Sequence, residues 1–318
     1  MHEPVIHRHL FQALLAGVKG RPALPAVIAH PCDETAVAAA VEAAQEGLIA
    51  PIFVGPAARM ESAARQAGVE LSRYRVVDVP HSHAAAARAV ALVRSGEARL
   101  LMKGSLHTDE LMHAVCAQGG LRTDRRMSHV FLLDVPGQAR LLLVTDAAIN
   151  IAPGLLEKRD IIQNAIDLAH VVGVATPKVA VLSAVETVNP ALPSTVDAAA
   201  LCKMAERGQI TGGLVEGPLA FDNAIDARAA REKGIASPVA GAADVLVAPD
   251  LVSGNMLAKQ LSFLAGAEAA GIVMGAQVPI VLTSRADASR ARIASCAVAV
   301  LVAQAARARE SSVVAEAC

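Results

Sequence analysis

Leu100-Leu101-Met102-Lys103-Gly104-Ser105-Leu106-His107-Thr108-Asp109-Glu110 is an apolar run that stops at a cation and a glycine, then opens into a helix start. Three consecutive apolar residues with no polar alternation suit a strand buried on both faces, which is the mark of a parallel sheet. Thr108 reads as the N-cap, with Asp109 and Glu110 complementing the dipole of the first helical turn. Lys103 and Thr108 serve equally well as anion ligands or as structural groups. The glycine spacing is not that of a Walker loop, so nucleoside triphosphate binding has no support.

The same strand–helix alternation extends outward in both directions. Upstream, residues 23–30, 52–55 and 75–79 read as strands, and 33–46, 56–68 and 83–95 as helices. Downstream, 130–135 and 141–144 form an expected hairpin around Pro136-Gly137. The alternation then restarts with helices at 157–170 and 194–207 and strands at 178–183 and 210–216. Strands at 245–248 and 279–283 flank a helix expected over Asn255–Ala270, and 287–309 reads as one long apolar helix. Strands separated by helix-length segments predict an α/β fold with mostly parallel sheets and helices on both faces. The length of 318 residues predicts two domains: 1–146 plus 288–318, and 147–287.

Composition narrows the function. Hydrophobic residues make up 54% of the chain but aromatic residues only 2%, so Ala, Val, Leu and Ile build the interior. A net charge of -1 and the scarcity of aromatic rings argue against a nucleic-acid surface. The mean hydropathy is positive, yet the most apolar tail segment, 294–306, carries polar residues and reads as too short for a bilayer. Five scattered cysteines with no C-x-x-C pair fit a reduced, cytoplasmic compartment. No histidine spacing suggests a metal site, and no G-x-S-x-G elbow is present.

Polar residues at strand ends are the candidates for chemistry, because ligands of open α/β sheets gather there. In Arg122-Thr123-Asp124-Arg125-Arg126-Met127-Ser128-His129, guanidinium forks suit a phosphate, and Ser128 and His129 stand at the start of a strand. Glu216-Gly217-Pro218 reads as a strand ending in a turn, followed by Asp222 and Asn223 at a helix start. Ser253-Gly254-Asn255 reads as a loop before a helix carrying Lys259. In Thr283-Ser284-Arg285-Ala286-Asp287, Ser284 and Asp287 fit a capping box. Arg285 does not fit: a cation in a first helical turn opposes the dipole unless an anion lies nearby.

These blocks, M-K-G-S-L-H-T-D-E-L, R-R-M-S-H-V-F-L-L-D-V-P, E-G-P-L-A-F-D-N-A-I, S-G-N-M-L-A-K-Q-L and T-S-R-A-D, together resemble the phosphate acetyl/butyryltransferase family. The K-G-x-x-H-T-D-E and S-R-A-D forms look closest to its butyryl branch. The resemblance implies two α/β domains of the isocitrate/isopropylmalate dehydrogenase-like type, an active site in the cleft between them, and a homodimer. It implies a phosphate acyltransferase, exchanging an acyl group reversibly between coenzyme A and inorganic phosphate, with no tightly bound cofactor. Ser284 and Arg285 match the family's conserved pair, the arginine on phosphate and the serine at the transition state. An acid further into the next helix is the family's candidate base; Ala291 stands at about that place, leaving Asp287 as the nearest acid. Lys103, Thr108, Arg126, Ser128 and His129 are then expected around phosphate, and Asn255 and Lys259 on the coenzyme A side. Two other readings are a silent acyl-CoA-binding module and a metal- and NAD-dependent dehydrogenase of the same fold type.

Overall fold

The computed structural model describes residues 10–18, 20–282 and 289–316. The chain divides into two compact units, Phe11–Arg125 with Ala270–Cys318, and Arg126–Ala269 with Met1–Leu10. The sequence reading put the breaks near residues 146 and 287. The β-hairpin after Arg126 explains the difference at the first of these, because its second strand pairs within the later unit.

The first unit opens with α1 (Leu10–Val18) and then repeats strand and helix: β1 (Leu24–Ala29), α2 (Glu34–Gln45), β2 (Ile49–Gly55), α3 (Ala57–Gln66), β3 (Arg75–Asp78), α4 (Ser82–Arg94), β4 (Leu100–Lys103) and α5 (Thr108–Cys116). The chain returns to it through β10 (Glu268–Met274), β11 (Ile280–Val281) and α11 (Ser289–Glu316). Its strand order is β3-β2-β1-β4-β11-β10, all parallel except the β10–β11 pair. Every residue of β4 is buried, the apolar Leu100, Leu101 and Met102 and the terminal Lys103 alike. From Arg290 to Ala308, α11 is long and apolar enough to cross a membrane. In this fold Ile293, Ala297, Val298 and Val300 of that stretch are buried, and the helix packs on α2, β4 and β11.

The second unit begins with the antiparallel pair β5 (Ser128–Asp134) and β6 (Leu142–Thr145). It continues through α6 (Leu155–Val171), β7 (Lys178–Leu182), α7 (Pro193–Glu206), β8 (Leu214–Leu219), α8 (Phe221–Ile225), α9 (Ala227–Glu232), β9 (Val245–Val247) and α10 (Leu251–Phe263). The strand order is β5-β6-β9-β7-β8, with the last four strands parallel. Its core is aliphatic, with Leu133, Val144, Ala180 and Leu246 at the centre. The α/β class and the parallel alternation are therefore as the sequence predicts.

Three local expectations are corrected. The helix expected over 255–270 ends at Phe263, and 268–274 is strand β10. Its alanines favour helix locally, but Ile272 and Val273 are fully buried and Val273 pairs with Ile280. Gly217-Pro218 is no turn; both residues lie inside β8. An edge strand tolerates the missing proline N–H, and a Cβ at Gly217 would stand 2.8 Å from the Val181 carbonyl oxygen. The N-cap of α5 is His107, so Thr108 is the first helical residue rather than the cap.

Candidate functional site

In the first unit the carboxyl ends of β1 and β4 stand side by side, with Ala29 opposite Lys103. Lys103 is buried, and its Nζ donates to the carbonyls of Gly104 (3.2 Å) and Leu106 (3.1 Å). The loop thus folds over the ammonium, which keeps a buried charge solvated by backbone dipoles. Gly104 makes this possible: a Cβ there would sit 2.5 Å from Ala29 O and 2.6 Å from His30 O. Ser105 Oγ donates to His30 O (2.7 Å) and accepts from Cys32 N (3.0 Å). His30 adopts φ 53°, a left-handed conformation that costs about 1–3 kcal/mol in a non-glycine residue. Burial, and secondarily the Arg59 guanidinium, hold its imidazole below the usual histidine range. Thr108 is half-buried at the start of α5.

The second unit gathers a denser polar network. Asp146, one residue past β6, accepts from the backbone amides of Ala148 (2.9 Å), Ile149 (3.1 Å) and Asn150 (3.2 Å). Its carboxylate also takes the Asn150 Nδ2 at 2.5 Å, and that amide donates in turn to Met127 O at 2.9 Å. Asn150 Oδ1 accepts from Arg126 Nε at 2.7 Å. Arg126 reaches Glu157 Oε1 at 3.0 Å, and its backbone N–H donates to Asp160 at 2.9 Å. Asn164 of α6 donates to Arg126 O (2.8 Å) and to Ser128 Oγ (2.9 Å). The guanidinium is therefore aimed by two side chains, Asn150 and Glu157, while remaining half-exposed, and Asp160 and Asn164 hold its backbone. Ser128 and His129 are fully enclosed. Burial pushes the His129 imidazole down to about 4, so at neutral pH it brings no positive charge to an anion.

Helix α10 is tied to the same turn. A Cβ on Gly254 would stand 2.3 Å from Asp146 O, and Asn255 Nδ2 donates to Ala147 O at 2.9 Å. The glycine that read as a loop residue is thus inside the helix, where it permits that approach; Asp250 caps the helix by accepting from Ser253 N at 2.9 Å. Lys259, one turn beyond Asn255, is exposed. Arg126, Ser128, His129 and Asn255 are accordingly joined around the Asp146 turn, whereas Lys103 and Thr108 belong to the first unit. Ser284, Arg285 and Asp287 lie outside the described residues. The sequence reading missed His30, Asp146, Asn150 and Asn164. Asp146 directly after an apolar strand was the available signal; the asparagines carried none. Among the described residues no group of three or more His, Cys, Asp or Glu is arranged to hold a metal.

A family profile described as "Phosphate acetyl/butaryl transferase" matches residues 81–300. The chain is 62% identical over 305 residues to a phosphate acetyltransferase of Rhizobium meliloti, covering 96% of each protein. It is 40% identical over 294 residues to a phosphate butyryltransferase of Clostridium acetobutylicum, covering 92% of this chain and 98% of that protein. A solved branched-chain phosphotransacylase from Enterococcus faecalis V583 superposes with a TM-score of 0.77 at 30% identity, over 88% of this chain and 99% of the other. The acetyl-named relative exceeds the butyryl-named one in identity, so the K-G-x-x-H-T-D-E and S-R-A-D forms carry the family without singling out its butyryl branch. This chain belongs to the phosphate acetyl/butyryltransferase family of acyltransferases.

Proposed function

We propose that the chain exchanges an acetyl group between coenzyme A and inorganic phosphate, giving acetyl phosphate and free coenzyme A. The observation that carries the choice of acyl group is the 62% identity, end to end, to a protein named for that reaction. A phosphate oxygen attacks the thioester carbonyl, the tetrahedral oxyanion collapses, and the C–S bond breaks. The thiolate leaves and takes a proton. Run backwards, the thiol must first lose that proton, and a thiol pKa of about 8.5 makes this a modest demand near neutrality.

Arg285 and Lys103 are assigned to phosphate, with Arg126 as a further guanidinium donor and Thr108 as a hydroxyl donor. Ser284 is assigned to the oxyanion and Asp287 to the thiol proton. Asn255 and Lys259 are assigned to the coenzyme A side. The enclosure of Ser128 and His129 supports a different role for them, as the shelf that holds Arg126. Positioning of this kind supplies up to roughly 7–11 kcal/mol of a barrier, and each oxyanion donor about 3–4 kcal/mol. Coenzyme A is a substrate here, and no resident cofactor is assigned.

A homodimer and a cytoplasmic location belong to the same proposal. Helix α10 leaves Val252, Met256 and Phe263 exposed, an apolar surface suited to a second copy; light scattering that returned only monomer would remove the dimer. The four described cysteines are all free, as a reducing compartment favours. The reaction is tested by following thiol release from acetyl-, propionyl- and butyryl-CoA in the presence of phosphate. Acetyl-CoA is expected to give the highest kcat/KM. Faster release from butyryl-CoA would overturn the acetyl choice, and binding of coenzyme A without any release would mark a silent module.

A further inference from the structure

A pocket of about 430 Å³ opens in the first unit, lined by Arg94, Cys116, Gln118, Gly119, Arg122 and Gln277 among others. Its place in the topology is informative. Arg94 ends α4 just before the chain enters β4, and Cys116 ends α5 after that helix has run back along the sheet. Gln277 precedes β11, which is parallel to β4. All three therefore stand at the amino edge of these strands. Lys103 is at the carboxyl edge, a β4 length away, or about 13 Å at 3.3 Å per residue.

The walls are bonded to one another. Leu121 N donates to Val115 O (2.8 Å), Gly120 N to Ala117 O (2.8 Å) and Gln277 N to Leu121 O (2.9 Å). Arg122 bridges Ala276, and Thr123 Oγ1 donates to Gly275 O at 2.7 Å. Gly119, at φ 70°, carries no side chain over the opening, and Arg94 Nη1 lies 3.1 Å from where its Cβ would be. The lining holds two guanidiniums and no carboxylate, in a chain whose net charge is -1. Neither guanidinium has a hydrogen bond or ion pair among the described residues. Elsewhere on the surface, Arg75 and Arg228 each find a glutamate. The C-terminal end of α5 accounts for one cation by its dipole, but not for two beside a pair of carboxamide donors.

We propose that this pocket is a second anion site, remote from Lys103, which takes a small molecule bearing a diphosphate group. Two guanidinium forks match the oxygens of two linked phosphoryl groups bidentately. Gln118 and Gln277, also in the lining, bring carboxamides that can donate N–H. The volume exceeds what one phosphate ion fills and falls in the range of small-molecule sites. This site stands independently of the reaction assigned above.

Cys116 is exposed at the pocket and reports its occupancy. Alkylation of the full-length protein by iodoacetamide is followed by mass mapping, with inorganic pyrophosphate as the probe and inorganic phosphate as the comparison. With pyrophosphate at ten times its Kd, Cys116 labelling is expected to slow about tenfold. Arg94→Ala and Arg122→Ala are each expected to abolish that protection, and Arg94→Ala to leave thiol release from acetyl-CoA unchanged without pyrophosphate. Undiminished labelling of the parent protein would overturn the site, as would protection that persists in both variants. Equal protection by phosphate at the same concentration would overturn the diphosphate preference. Absence of acetyl-CoA turnover alongside protection would count against the reaction and leave this pocket standing.

Discussion

Arg285 is the residue whose local chemistry most needs an anion, since its position in an expected first helical turn opposes the dipole. Replacing it with alanine is expected to lower kcat/KM for acetyl-CoA and phosphate by about 100-fold or more, as loss of one aimed charge does. A near-normal rate would assign it to the helix surface. His129 makes a prediction of a different kind. Burial lowers its folded pKa to about 4 against 6.5 in the unfolded chain. Between those values the unfolded chain binds the proton first, so stability falls as pH drops through 6.5 toward 4. At pH 5 the loss is about 2 kcal/mol relative to neutral pH. Urea unfolding at pH 7.5 and 5.0 measures it, and His129→Gln is expected to flatten the slope. At this scale the sequence singled out charged and polar residues at strand ends, among them Lys103, Thr108, Arg126, Ser128, Ser284 and Arg285. Nothing in a single sequence distinguishes Asn150 or Asn164 from surface amides until Asp146 and Ser128 are seen beside them.

Among the elements, α10 shows how a glycine in a helix acquires a purpose. Gly254 lies against Asp146 O, and Asn255 next to it holds Ala147 O. Gly254→Ala would press a methyl group into a backbone carbonyl, at an expected cost of about 3 kcal/mol, whereas Val252→Ala on the exposed face should cost under about 0.5 kcal/mol. Thermal unfolding of the two variants separates these outcomes. The elements that were legible are those whose apolar pattern agrees with their place, such as β1, β4 and α6. Strand β10 was not: an alanine-rich segment reads as helix, and its strand state depends on pairing such as that with β11, itself two residues long in the described chain. The Gly217-Pro218 pair misled in the opposite direction, since a turn signal is harmless on the edge strand of its unit.

For the molecule as a whole, the α/β class followed from alternation, the expectation of two parts from length, and the family from five blocks in register. The exact division did not, because a hairpin of apolar strands reads the same at the end of one unit or the start of the next. That division has a consequence for how the chain is made. Strand β11 inserts between β4 and β10, pairing Ile280 with Leu101 and Val281 with Met102, and α11 closes over them. Of these two units, the one whose translation starts earlier is thus completed later, for its sheet lacks an interior strand until residue 281 has been translated. The roughly 155 residues between Arg125 and β11 take about 10–30 s to synthesise at the usual rates. Late in that interval Arg126–Ala269 has all its strands and can fold, while the earlier segment waits throughout with β4 uncovered on one side. Nascent chains halted with residue 270 outside the tunnel should therefore yield a protease-resistant fragment beginning near Arg126 and rapid cleavage before it. Protection of 11–125 at that length would mean that the opening unit holds its sheet without the closing strand. A chaperone that binds exposed aliphatic strands has its longest opportunity at β4, the strand that carries Lys103.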